Sequence, residues 1–242
     1  MNKSKSIMKK NIGWASLFGA VLLLCGSLAD SPAQEIGESK VNINALVQET
    51  KKTVQKADEM TLVWWIPEEF WNVTFAQDPT VTKAQAEEFI KVLRPYTLIV
   101  IVDGKMGGSA GVTYRTEADI RTDLQLKDSH GTFYRPFSKD KINADVKNAL
   151  AMMKPVFVNI LEPLGQDMHF FVFPAKSENG RNIADARKKG AFSVKLGKRE
   201  FKWRLPLGSL LSPKICPKCR ENCSGAWNFC PWCGTKLPEQ NR

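Results

Sequence analysis

Thr97-Leu-Ile-Val-Ile-Val102 is an uninterrupted apolar and β-branched run. It lacks the polar alternation of a half-exposed strand, so it reads as a strand covered on both faces. A strand of that kind needs packed layers on either side, which makes a layered domain the natural architecture. Upstream, Thr82 and Gln85 have capping-box spacing and start a helix running to about Arg94, where Pro95 stops it. Before that, Thr61 to Ile66 is short, aromatic and β-prone, and Pro67-Glu68-Glu69 opens a helical turn with acids at its positive end. Together these pieces predict a β-α-β unit, preceded by a thin-striped helix over Asn42 to Lys56.

Downstream of Val102 the pattern changes. Val112 to Arg115, Ile120 to Leu126 and Thr132 to Arg135 read as short antiparallel strands joined by Gly and Asp turns. In the middle segment Ile120, Thr122, Leu124 and Leu126 alternate with polar residues. Val146, Leu150, Met153, Phe157, Ile160 and Leu164 then make one helical stripe, with Pro155 predicting a kink or break. Met168 to Phe173 reads as a buried strand. In the closing hairpin, Phe192, Val194 and Leu196 face Phe201, Trp203 and Leu205 across Gly197-Lys198. The sum is an α+β domain over residues 42–211, with a mixed β-sheet and two or three helices. It has no internal repeat and no low-complexity tract.

The 242 residues are 43% hydrophobic and 25% charged, which excludes a disordered or collagen-like chain. Six cysteines are too few for a disulfide-built scaffold of this size, and two histidines cannot make a His-rich metal centre. At the N-terminus Lys3, Lys5, Lys9 and Lys10 precede an apolar run from Ile12 to Leu28, followed by small residues at Ser31 and Ala33. That is the form of a signal peptide over residues 1–33, leaving a polar leader at 34–41. The run falls short of the roughly 20 apolar residues of a spanning helix. An exported chain in the periplasm or cell envelope is therefore expected, with no transmembrane segment in the mature protein. An uncleaved N-terminal anchor, or a lipoprotein formed on Cys25, is the alternative.

The most specific motif lies near the C-terminus. Cys216-Pro-Lys-Cys219 and Cys230-Pro-Trp-Cys233 are two C-x-x-C pairs separated by ten residues. Four thiolates at this spacing can converge on one tetrahedral metal ion. Residues 215–237 resemble a zinc ribbon: Cys-Pro-x-Cys, a short hairpin, then Phe229-Cys-Pro-x-Cys-Gly234 and an apolar residue. The resemblance implies a small β module held by one structural Zn²⁺ on Cys216, Cys219, Cys230 and Cys233, usually structural or protein-binding. It covers residues 212–242 at most, tail included, and is silent about the rest. Cys223 departs from the pattern and could replace Cys219, stay free or pair otherwise. The rival use of the pairs is thiol-disulfide exchange, which wants a C-x-x-C at a helix N-terminus.

Other signals are weaker. The chain carries a formal charge of +10, and Ala175 to Arg204 alone holds ten Lys or Arg against three Asp or Glu. Arg187, Lys188, Lys189, Lys195, Lys202 and Arg204 form a candidate patch for an anionic partner, set against the simpler reading of a solvated face. Export argues against nucleic acid and leaves an envelope polymer, acidic headgroups at the membrane periphery or a protein. Asp103 to Gly111 is glycine-rich but fails the phosphate-loop pattern and reads as a flexible hairpin loop. Trp64 and Trp65 should point to opposite faces of their strand; packing of this aromatic cluster into the core is the default reading, and an aromatic ligand platform is the sharper alternative. Asp128 and His130 read as a polar turn, His169 as a hydrogen-bonded core residue, and Asn72-Val-Thr74 as a sequon. No catalytic constellation is visible, so a non-catalytic binding or assembly role is expected. The alternative is an enzyme: an oxidoreductase using the cysteines, or a hydrolase drawing on Glu68, Glu69, Asp103 and Asp123.

Overall fold

The computed structural model describes residues 41–107 and 111–239. The signal segment, the leader up to residue 40 and Cys25 lie outside the described residues. The fold is α+β, centred on strand β3 (Tyr96–Met106), buried from Thr97 through Gly104. Strand β2 (Glu59–Ile66) lines one edge of β3, with Glu59 opposite Lys105 and Ile66 opposite Leu98, and β1 (Lys51–Gln55) lies outside β2. Two strands share the other edge end to end. β4 (Val112–Tyr114) faces Gly104 to Met106, and β7 (His169–Pro174) faces Tyr96 to Ile101.

Every pairing in this sheet is antiparallel, where a mixed sheet and a β-α-β unit were expected. The reason is the connection. Two helices, α2 (Glu68–Gln77) and α3 (Lys83–Leu93), join β2 to β3. A single crossover helix returns the chain to the start of the previous strand, whereas a helix pair delivers it back to the end it left. The Thr82–Gln85 capping box that starts α3 is present in full.

A second antiparallel sheet runs β6 (Phe133–Tyr134), β5 (Leu124–Lys127), β8 (Gly190–Leu196), β9 (Arg199–Leu205). In its hairpin Phe192 faces Trp203 and Val194 faces Phe201 around the left-handed Gly197 (φ 58°). This sheet explains why both tryptophans of β2 are buried, at 0% and 2% exposure. Trp64 packs edge-on to Phe70 and Phe157 on the helical side, while Trp65 packs against Phe192. Core packing, the default reading, therefore holds for both Trp64 and Trp65, and the alternative of an aromatic ligand platform fails because both faces of the sheet are covered there.

Three further expectations change. Helix α1 (Ile43–Thr50) ends early and β1 takes over, because Thr50 is captured: its hydroxyl bonds back to the Leu46 carbonyl and accepts from Trp64 Nε1. Residues 117–123 form helix α4 rather than a strand, started by a second capping box on Thr116 and Asp119. Of the kink or break expected at Pro155, the break is absent: helix α5 (Ala144–Leu161) continues through it. It buries Val146, Met153 and Phe157, leaves Ile160 45% exposed, and ends before Leu164.

Residues 208–210 form a helical turn leading towards the cysteine segment. The Glu49 carboxylate clasps this turn, accepting from the Gly208 and Ser209 N–H groups at 2.9 Å each. A Cβ on Gly208 would meet Ser224 Oγ at 2.1 Å, so the two parts of the chain approach backbone to side chain here. Strands β10 (Lys214–Ile215) and β11 (Asn222–Cys223) pair antiparallel beyond it. Among the described residues no helix is long and apolar enough to cross a membrane.

Candidate metal centre

The two C-x-x-C segments fold alike. The Cys216 N–H donates to the Glu221 carbonyl and the Arg220 N–H donates back to the Cys216 carbonyl, at 2.9 and 3.0 Å. In the second copy the Cys230 N–H donates to Thr235 and the Gly234 N–H to Cys230, at 2.8 and 2.9 Å. Proline after the first cysteine presets each turn. The residue after the second cysteine is left-handed in both, Arg220 at φ 63° and Gly234 at φ 71°. Each turn therefore presents two sulfurs inward on one short rigid loop.

Together the four sulfurs of Cys216, Cys219, Cys230 and Cys233 lie within 4.8 Å of one another. Cys216–Cys233, Cys219–Cys230 and Cys219–Cys233 are each separated by 3.5 Å. A tetrahedron with metal–sulfur bonds of about 2.3 Å has edges of about 3.8 Å, so this donor set fits a thiolate-bound ion. The separations are far beyond the roughly 2.05 Å of a disulfide. Hydrogen bonding to Thr235, side chain and backbone, draws the Cys233 thiol down to about 6. Cys223 is buried in β11 and stays outside the four-sulfur group. Neither cysteine pair opens a helix.

Four large apolar side chains are exposed around the centre, among exposed polar residues such as Lys218, Arg220 and Glu221. Ile215, Trp227, Phe229 and Trp232 are 62%, 45%, 60% and 74% exposed. Lys214 is the reverse, a buried lysine whose Nζ donates to the Trp227 carbonyl and ties β10 to that turn.

The basic residues of the sequence are only partly gathered. Lys195, Lys202 and Arg204 share one face of the β8–β9 hairpin, but Glu200 stands among them and pairs with Lys202 at 3.1 Å. Lys195 lies over the Phe133 ring. Arg187 turns to Glu69 at 3.1 Å and Lys188 to Asp185 at 3.5 Å, whereas Lys189 and Arg204 make no ion pair among the described residues.

The four candidate acids separate into two places. Glu68 and Glu69 line a cleft of about 500 Å³ walled by Trp65, Trp71 and Ile90, where Arg94 pairs with Glu68. Burial pushes the Glu69 carboxyl upward even with Arg187 beside it. Asp103 and Asp123 meet elsewhere, joined through Arg115 at 3.2 and 3.1 Å. Asp128 organises the expected polar turn, accepting from the His130 and Thr132 N–H groups and from Tyr134. His169 is half-buried at the start of β7, and its burial lowers its pKa. Arg115 and Arg199, which frame Asp103, carried no signal in the sequence, because they reach it from 12 and 96 residues away. No family model matches the chain, and the comparisons with curated proteins and with solved structures found no match.

Proposed function

We propose that this is an exported, non-catalytic binding or assembly protein whose C-terminal segment is a structural zinc ribbon that docks a protein partner. The observation that carries the reading is the closed four-sulfur set, which leaves no coordination position for a substrate. Cys216, Cys219, Cys230 and Cys233 would hold the ion, and the ion would supply rigidity rather than chemistry. The exposed Trp227, Phe229 and Trp232 on so small a module have the composition of an interface centre.

The test is metal content and thiol state of mature protein taken from its own compartment. The reading expects one zinc per chain with reduced cysteines, and a Phe229→Ser, Trp232→Ser double variant that keeps its metal but loses co-purifying protein. Two disulfides and no metal would overturn it in favour of thiol-disulfide exchange, and iron in place of zinc would overturn the ion's identity. A second reading, an envelope enzyme using Glu69 as a proton donor, is favoured by that carboxyl's raised pKa inside the larger cleft. Glu69→Gln would then abolish hydrolysis of a substrate that the wild type cleaves.

A further inference from the structure

We infer that the smaller cleft, where the first sheet meets the β8–β9 turn, binds a small multiply charged oxyanion, with a phosphoryl group as the chemistry it fits best. The cleft measures about 400 Å³, within the usual range for small-ligand sites. Its floor is a built ionic network. The Asp103 side chain is 4% exposed; its Oδ1 accepts from the Thr61 hydroxyl at 2.7 Å, and its Oδ2 accepts from Arg199 Nη2 at 2.8 Å and Arg115 Nη1 at 3.2 Å. Arg199 Nη1 also donates to Thr61, and Arg115 Nη2 reaches Asp123 and the Asp119 carbonyl. One buried carboxylate thus fixes two guanidinium planes, each with N–H groups beyond those it uses on the floor.

The rim adds charge of one sign. Lys56, Lys105 and Lys198 line the cleft, all are exposed, and none makes an ion pair among the described residues. They come from the β1–β2 turn, from β3 and from the β8–β9 turn, so no single local sequence bias gathers them. With Arg115 and Arg199 they set five cations against the three carboxylates of Glu59, Asp103 and Asp123. A solvated face spreads such charge outward, whereas a concave wall focuses it on one hollow, where a bound anion relieves the repulsion. Gly104 and Gly197 also line the hollow, and neither contributes a side chain to fill it. Preorganised guanidinium forks with ammonium groups above them suit a tetrahedral oxyanion better than a lone carboxylate. This site is independent of the cysteine module.

Calorimetric titration of the full metal-loaded chain at low ionic strength tests the inference, with inorganic phosphate and glycerol phosphate as separate probes. Saturable one-to-one binding is expected. Equal affinity for both probes identifies the free ion as the ligand, and tighter binding of the ester identifies a phosphorylated small molecule. Lys105→Ala with Lys198→Ala, both exposed and without an ion pair among the described residues, should weaken binding about tenfold. Lys195→Ala with Lys202→Ala, equally cationic but on the outer hairpin face, should leave it unchanged. Absence of binding at millimolar phosphate would overturn the inference. So would equal losses in the two double variants, which would show diffuse attraction by a basic protein.

Discussion

The tryptophans divide the molecule in two. Trp64, Trp65, Trp71 and Trp203 are all below 7% exposed inside the α+β domain, whereas Trp227 and Trp232 of the cysteine segment stand 45% and 74% exposed. The domain has a continuous apolar core reaching both faces of the β3 sheet. The segment's own buried cluster is Cys216, Cys223, Cys230 and Leu237, with Cys233 packed against it. One region is held by area removed from water and can afford to hide its aromatics. The other has almost no apolar interior, so an ion held by its four sulfurs would have to stabilise it, and its aromatics stay exposed.

The largest test of this division removes the ion that the proposed ribbon would hold. Chelation, or Cys216→Ser with Cys233→Ser, should unfold residues 214–237, a loss on the order of 10 kcal/mol of metal-linked folding free energy. Amide exchange should become fast there while β3 keeps its protection; loss of protection in β3 would break the comparison. Next in size, Phe157→Ala empties a site ringed by Trp64, Phe170 and Trp71 at 5.0, 5.5 and 6.0 Å. It should cost the domain about 3–5 kcal/mol in denaturant melts and leave the metal stoichiometry untouched. The smallest effects sharpen the likeness of the two cysteine turns. Gly234→Ala puts a Cβ on a left-handed residue and should weaken metal affinity by about 1 kcal/mol, read by competition with a chromophoric chelator. Arg220→Gly, at the matching position, should strengthen it by a similar or smaller amount.

What was legible in the sequence depended on range. The four-sulfur convergence rests on two turns of a few residues each, and the α3 capping box spans only Thr82 to Gln85, so spacing alone revealed them. The run at 97–102 announced its burial because nothing in it could face water. Helix α4 stayed hidden because Ile120 and Leu124 satisfy a two-residue and a four-residue period equally, and only the Thr116–Asp119 cap decides between them. The fate of Trp65 depended on Phe192, more than a hundred residues away, and the Asp103 network on Arg199. No local pattern reports contacts formed at that distance. The direction of β2 relative to β3 required counting both helices between them, a topological fact rather than a periodic one.

The Glu49 clasp on residues 208–209 bears on how the protein tumbles. A carboxylate from the first described helix grips the peptide just ahead of the cysteine segment, and Ser224 sits against Gly208 on its far side. The link is therefore not a string between two beads. The expected consequence is that residues 214–237 share the slow rotational diffusion of the larger part, which backbone nitrogen relaxation would read directly.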